Sequence, residues 1–454
     1  MRSSRRPRQL FLLVVDVGVF FLSLFLALLV RYGTPPSPEL WWALASVFAP
    51  CWCIWIIAYY TADLYNIDSY FDQFRFVGRL FGAVVVGGLL SALIFYLFNS
   101  TVNPKTILAL YAGFLFLLMW GWRFVYGRVS RLYLPRRATA FVGVDETVAE
   151  IVEAIETNDH LGYEAAAFLD ESGTAPKTFR KRICANMEAF VTVVKKKGVS
   201  LVVVSDEGSL SEETRSALLD LIDRPVRFLR LPDFYEHYLR KIPIGTINDL
   251  WFLENIDLRA KGRYGIIKRG FDCFAALVLL VICLVPGALV ALGIRMSGPG
   301  PVLFRQQRLG RGGRPFNILK FRTMKVDGNN FAPTESNDPR VTGVGRLLRK
   351  FRLDEIPQMI NILVGEMSFI GPRPERPELA AELEHSIPYY RQRLLVKPGI
   401  TGWDQVSGEY HSPSVRDTYK KLQYDLYYVK NMTILLDVSI FFKTIMTMLG
   451  RKGQ

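Results

Sequence analysis

Two adjacent carboxylates, Asp354 and Glu355, stand in the segment Gly345–Pro374 among Arg346, Arg349, Lys350, Arg352 and Arg373. Charges at this density do one of two things. A carboxylate at a helix start can cap it, with the cations on a solvated face. Alternatively, the cations cradle a phosphorylated substrate and a carboxylate reacts with it. Ile356, Met359, Ile360 and Leu363 recur at helical spacing, which puts the acidic pair at or near a helix N-terminus. Backbone N–H groups and the helix dipole favour anions there, and Pro357 is tolerated in a first turn. The elements that carry this segment decide between the two readings.

The chain has 454 residues, half of them hydrophobic, and a formal net charge of +14. Its length allows two or three domains, and its apolar composition points to membrane spans. Much of the positive charge flanks apolar runs, which favours a lipid bilayer over nucleic acid, for which no binding motif is present. The five cysteines form no CxxC pair and the four histidines are scattered, which argues against a disulfide frame or a His-based metal site.

A basic N-terminus (Arg2, Arg5, Arg6, Arg8) precedes an apolar run from Leu10 to Val30. It is too long for a signal-peptide core and has no small-residue cleavage site, so it is expected to be a retained helix. Further runs follow at about 41–60, 80–98 and 107–122, each near the roughly 20 residues a bilayer crossing needs. Basic residues cluster before the first run, before the third (Arg75, Arg79) and after the fourth (Arg123, Arg128, Arg131, Arg136, Arg137). The positive-inside rule then gives four spans with both ends cytoplasmic. Residues 1–137 thus form the expected transmembrane domain.

Residues 138–235 alternate apolar β-rich runs with helical patterns, as a parallel sheet with flanking helices would. After the first strand, Gly143 leads into VDETVAE with no G-x-G-x-x-G, so the usual pyrophosphate-cradling turn is missing. A spacer, an assembly surface or a regulatory ligand site is the expected role. A connector spans 236–264, and 265–454 remain. This last part opens with an apolar run, Phe274–Ile294, with basic residues on both flanks (Lys268, Arg269; Arg295, Arg305, Arg308) and Pro286 at its centre. Proline in a helix interior removes a hydrogen bond and kinks the rod. A re-entrant helix over 268–295 keeps both basic flanks on one side, whereas a full crossing would break the charge rule. The tail Ile434–Leu449 reads as an apolar helix that lies on a membrane or covers a core.

The stretches KRGFD, FRQQRLG, KFRTM, NDPRVTGVG, LDEIPQ, GPRPE and PGITGW follow in order along residues 265–450. In this set and order the segment resembles the catalytic domain of the bacterial sugar transferases, the monotopic phosphoglycosyl transferases. With four spans and a degenerate Rossmann-like domain, the whole chain resembles their long subgroup, the polyprenyl glycosylphosphotransferases. The resemblance implies transfer of a hexose 1-phosphate from a UDP-sugar, glucose or galactose foremost, to undecaprenyl phosphate, with UMP leaving. That is the first step of exopolysaccharide, capsule or O-antigen synthesis. It implies a mostly helical monotopic domain on the cytoplasmic face of a bacterial inner membrane and allows a homodimer.

Carried over residue by residue, the resemblance makes Asp354 the nucleophile of a phosphosugar–aspartyl intermediate and Glu355 the position linked to Mg²⁺. Lys320, Arg349 and Arg373 match positions near the phosphates; Arg322 and Asp338 are further substrate-binding candidates. An aspartate is ionised at neutral pH and needs no general base, and guanidinium forks suit phosphate oxygens. Two departures stand out. Val285 replaces the serine often found before the helix-breaking proline, so the bend must rest on Pro286, Gly287 and tertiary contacts. Asp404 stands where the family often has alanine and is expected to be an exposed loop carboxylate. Rival classes are a catalytically inactive membrane scaffold, opposed by the intact Asp354, Glu355, Lys320, Arg349 and Arg373, and a sugar-nucleotide dehydratase or epimerase, opposed by the absent cofactor turn.

Overall fold

The computed structural model describes residues 2–449 apart from 63, 66–72, 98–104, 134–135, 158–161, 172, 174, 177–178, 180–181, 206–209, 260, 326–337 and 408–413. The chain divides into two compact units, 1–239 with 445–454, and 240–444.

The first unit begins with α1 (Arg2–Tyr32), α2 (Pro38–Thr61), α3 (Gln73–Leu97) and α4 (Lys105–Tyr133). Each is apolar and long enough to cross a bilayer. Helix α1 packs on α4, and α2 and α4 both pack on α3. Phe20, Leu24, Phe48, Trp55, Tyr59, Tyr111 and Leu115 fill the bundle core. Trp55 donates its indole N–H to Ser91 Oγ at 3.1 Å and lies flat over Gly87, where a side chain would not fit. Arg123 behaves differently from the exposed flanking cation the charge pattern implied. It is buried and its Nη2 lies 2.5 Å from the buried Asp16 carboxylate. Inside a membrane-spanning bundle an unpaired charge is far costlier than a paired one, so Asp16 and Arg123 hold α1 against α4.

The same unit continues with β1 (Arg137–Val142), α5 (Glu146–Thr157), β2 (Tyr163–Leu169), α6 (Met187–Lys196), β3 (Leu201–Val204), α7 (Glu212–Leu219), β4 (Arg227–Arg230) and α8 (Leu231–Leu239). The strands form a parallel sheet in the order β2-β1-β3-β4. Alternate strand residues pack against α5 and α8 on one face and α6 and α7 on the other, which gives the expected three layers. Strand order reverses between β1 and β3, the usual ligand crevice of such sheets. Here Gly143 turns with φ +79°, and Asp145 caps α5 by accepting the Val148 N–H at 2.7 Å and the Ser205 hydroxyl at 3.0 Å. A carboxylate therefore already occupies the helix end at which dinucleotide folds hold a pyrophosphate.

The second unit carries the acidic pair. Its elements are α9 (Asp249–Asn255), α10 (Gly262–Ile282), α11 (Leu284–Met296), β5 (Leu303–Leu309), β6 (Pro315–Phe321), α12 (Gly343–Lys350), α13 (Gln358–Val364), β7 (Ser368–Ile370), α14 (Pro377–Ser386), β8 (Gly399–Thr401), α15 (Val415–Asn431) and α16 (Ile434–Leu449), the last reaching past this unit's end at Thr444. Helices α10 and α11 meet at Cys283 at an angle of 61°. The sequence placed the break at Pro286. Its ring clashes with the carbonyl four residues earlier, at Ile282, and that is where α10 stops. Apolar side chains along both halves, among them Phe274, Val281, Leu284, Leu289 and Leu292, are exposed.

Strands β5 and β6 form an antiparallel hairpin that pairs Phe304 with Lys320. Short parallel strands β7 and β8 bring the GPRP and PGITGW stretches together. Helix α16 covers a core: Ile440 is fully buried, and Asp437 accepts from Tyr264, Lys268 and Tyr428.

Candidate active site

Asp354 and Glu355 lie in a single 3₁₀ turn, Leu353–Glu355, between α12 and α13. The chain enters this turn through Arg352 in the left-handed region, φ 53°, a conformation that costs a side-chain-bearing residue roughly 1–2 kcal/mol. Such strain persists where the surroundings over-determine it. Several pins do so here. Thr342 caps α12 by accepting the Gly345 N–H at 2.9 Å, and Gly345 lies so close to the Thr323 carbonyl that a Cβ would stand 2.0 Å from its oxygen. Asn361 on α13 reaches β6, accepting the Leu319 N–H at 3.0 Å and donating to the Asn317 carbonyl at 2.8 Å. Arg269 of α10 caps the other end of α13 through the Ile362 and Leu363 carbonyls.

The strand position of Lys320 and the turn position of Glu355 then converge. Lys320 Nζ is 3.3 Å from Glu355 Oε1, Arg373 Nη2 is 3.7 Å from the same oxygen, and Arg352 Nη1 is 3.9 Å from Oε2. Burial would raise the Glu355 pKa, but Arg373, Lys320 and Arg352 outweigh it and hold the carboxyl below the usual glutamate range. Glu355 thus contributes stability above the unfolded glutamate pKa and loses it as pH falls through its lower folded value. Lys320 is lowered by its own burial and by Arg373, against the pull of Glu355.

Asp354 is treated in the opposite way. It is half-exposed, and among the described residues no cation comes within 4.0 Å of its carboxylate. Desolvation and the neighbouring Glu355 charge raise its pKa, with Lys320 and Arg349 pulling back. One carboxylate is ringed by cations and held low, and the adjacent one is raised. A raised pKa makes a carboxylate more basic once ionised, and it sets a pH dependence. Activity that needs the Asp354 carboxylate is expected to fall as pH drops through a value above that of an ordinary aspartate. The acid limb of a kcat/KM profile measures this value. A limb at or below the ordinary aspartate pKa would contradict the reading.

The remaining residues singled out by the sequence divide by position. Arg349 donates through Nε to Thr323 Oγ1 at 3.0 Å, and both Asp354 and Asp338 feel its charge. Arg322 points its guanidinium at three backbone carbonyls, Pro299 at 2.6 Å, Gly298 at 2.8 Å and Ile294 at 3.1 Å, closing the end of α11. Asp338 is gripped by Arg340 at 2.5 Å, whose side-chain and backbone N–H groups push it down to about 2. In this structure Arg322 and Asp338 are committed to local contacts. Arg352, one of the five cations around the pair, emerges as a Glu355 partner; its place three residues before the glutamate was the available signal.

Asp404 corrects the sequence reading. It is buried, not exposed, and its charge is felt by Asp425 of α15. The expectation failed because a Gly-, Trp- and Asp-containing loop reads as surface, whereas the PGITGW stretch is wedged against the GPRP loop. Among the described residues no group of three or more His, Cys, Asp or Glu stands together. Glu355, the metal position the resemblance implies, faces three cations, and Asp354 beside it has none within 4.0 Å among the described residues.

Comparison with known proteins assigns two segments of the chain. Residues 263–451 match the family description "Bacterial sugar transferase", and 61–232 match "CoA-binding domain". A UDP-glucose:undecaprenyl-phosphate glucose-1-phosphate transferase of Escherichia coli (strain K12) is 30% identical over 313 residues, 68% of this chain and 67% of that protein. The chain belongs to the bacterial sugar transferase family. Its Asp354–Glu355 turn lies within the matched segment. A UDP-N-acetylgalactosamine-undecaprenyl-phosphate N-acetylgalactosaminephosphotransferase of Aeromonas hydrophila is 44% identical over 194 residues, 42% of this chain and 45% of that protein. A glucose-1-phosphate transferase of the same description as the first, from Xanthomonas campestris pv. campestris, is 38% identical over 245 residues, 52% of this chain and 50% of that protein. This family member therefore spans about half the length of the last two relatives.

Proposed function

We propose that this protein transfers a hexose 1-phosphate from a UDP-sugar to undecaprenyl phosphate and releases UMP, as the initiating step of a bacterial surface polysaccharide. The observation that carries the reading is the split between adjacent carboxylates, Glu355 ringed by three cations and Asp354 without a close one among the described residues. An Asp354 oxygen attacks the sugar-proximal phosphorus. A P–O bond forms to the carboxylate, the P–O bond to the bridging oxygen breaks, and UMP leaves with that electron pair. An undecaprenyl phosphate oxygen then attacks the same phosphorus, the aspartyl bond breaks, and the carboxylate is regenerated with the lipid-linked diphosphate sugar as product. Lys320, Arg352 and Arg373 supply charge for the phosphates. Glu355 holds those cations in place. Glu355 is the residue that would hold a Mg²⁺, which when bound would neutralise charge on the leaving group.

The bend at Cys283 supports a re-entrant α10–α11 pair that keeps both basic flanks on the cytoplasmic side. Cysteines introduced just outside 268 and 295 are expected to be labelled from the same side in sealed vesicles; labelling from opposite sides would make the pair a span. The reaction itself is tested with the purified full chain in lipid nanodiscs, undecaprenyl phosphate and a panel of UDP-sugars. UDP-glucose, UDP-galactose and UDP-N-acetylgalactosamine come first. UMP release dependent on both substrates is the expected result. No release with any sugar in the panel would sink the proposal.

A further inference from the structure

Arg373 is held by its backbone. In the segment Gly371–Glu375 the Gly371 N–H donates to the Thr401 carbonyl at 2.9 Å, and the Pro372 carbonyl accepts from Gly399 N at 3.0 Å. The Pro374 carbonyl accepts from Arg308 at 3.2 Å and the Glu375 carbonyl from Leu309 N at 2.9 Å. The carbonyl of Arg373 itself is taken by a side chain, Nη2 of Arg393, at 3.0 Å. Arg393 is 3% exposed and comes from the 3₁₀ turn Tyr390–Leu395. Its Nε and Nη2 both reach Asp425 Oδ2, at 2.9 and 2.7 Å, and its Nη1 donates to the Tyr390 hydroxyl at 2.9 Å. Asp425 is 1% exposed, and burial, with Asp404 nearby, pushes its carboxyl up to about 6 despite Arg393. Glu375 continues the network to Lys421 and Arg308.

A fully buried ion pair is a poor means of stabilising a fold, since apolar residues of similar volume often serve as well. A rigid guanidinium fork does something an apolar side chain cannot: it fixes a backbone carbonyl while itself fixed by a carboxylate. We propose that Arg393 and Asp425 are positioning residues that act through Arg373, setting where its guanidinium stands beside Glu355. The proposal rests on the phosphotransferase reading above. A charged group misplaced by about 1 Å can cost on the order of 100-fold in rate, so the effect should be visible in turnover.

The test is a double-mutant cycle on the full chain in nanodiscs. Arg393→Lys keeps the charge but loses the fork, so it cannot hold Asp425 and the Arg373 carbonyl together. It is expected to lower UMP release by about tenfold or more at unchanged melting behaviour. In an Arg373→Ala background the same change is expected to alter the rate less than about threefold, because residues acting in series are non-additive. Equal losses in both backgrounds would overturn the proposal, as would wild-type activity of Arg393→Lys. If Arg393→Lys does not fold, Asp425→Asn goes through the same cycle, with the same result expected and the same results overturning the proposal. Failure of both to fold overturns the proposal too, since the pair is then a structural element of the core. No UMP release from the wild-type chain would instead count against the phosphotransferase reading itself.

Discussion

Asp354→Asn is expected to lower UMP release by at least about 10⁴-fold, because an amide of the same shape cannot form the acyl phosphate. The structure makes this a demanding test. Asp354 forms no ion pair within 4.0 Å among the described residues, so the substitution breaks no salt bridge and should leave the melting temperature near wild type. A loss of activity would then be chemical. Label on the sugar-proximal phosphate should remain with denatured wild-type protein and be absent from Asp354→Asn. Glu355→Gln supplies the contrast. It strips charge from a buried site facing Lys320, Arg352 and Arg373, so it should both destabilise the unit and slow turnover by about 10²-fold, as expected for an electrostatic partner. Label retained at wild-type level by Asp354→Asn would move the nucleophile elsewhere.

Gly371→Ala is expected to cost the catalytic unit about 4 kcal/mol or its fold altogether, by combining backbone overpacking with lost main-chain hydrogen bonds. An alanine Cβ there would stand 2.4 Å from the Lys397 carbonyl oxygen and 3.0 Å from Gly399 N. Neither is the tip of a flexible side chain, so the β7–β8 pairing must part. The same crowding holds from the other side: a Cβ on Gly399 would lie 2.2 Å from Gly371 N, and one on Gly402 2.5 Å from the Gly371 carbonyl oxygen. Thermal melting of the detergent-purified protein measures the effect. Gly343→Ala, with nothing among the described residues within 4 Å of its Cβ, is the matched control and should melt within about 0.5 kcal/mol of wild type. Equal melting of Gly371→Ala and the control would show that the two loops are not interlocked.

These three glycines show how a motif can be legible without its role being so. GPRP and PGITGW stand out along the chain, but only the fold shows that their glycines exist to let two backbones touch. Arg322 and Asp404 carry a similar lesson. Arg322, a substrate-binding candidate by resemblance, points its guanidinium at three carbonyls at the end of α11, contacts that no spacing in the chain announces. A loop aspartate reads as exposed, yet Asp404 is buried near Asp425.

Features that depend on near neighbours were set by the chain alone. Four apolar runs of bilayer length become helices because a span must satisfy its own backbone. The strand–helix alternation of 138–235 produces a parallel sheet because each apolar strand face needs a helix to cover it. Pro286 breaks its helix four residues upstream through purely local sterics. Tertiary structure alone decided why Asp354 and Glu355, neighbours in sequence, differ in kind. Lys320 lies 35 residues from Glu355 along the chain and 3.3 Å away in space. Ionisation responds to burial and to through-space charge, and both are settled only when distant segments pack.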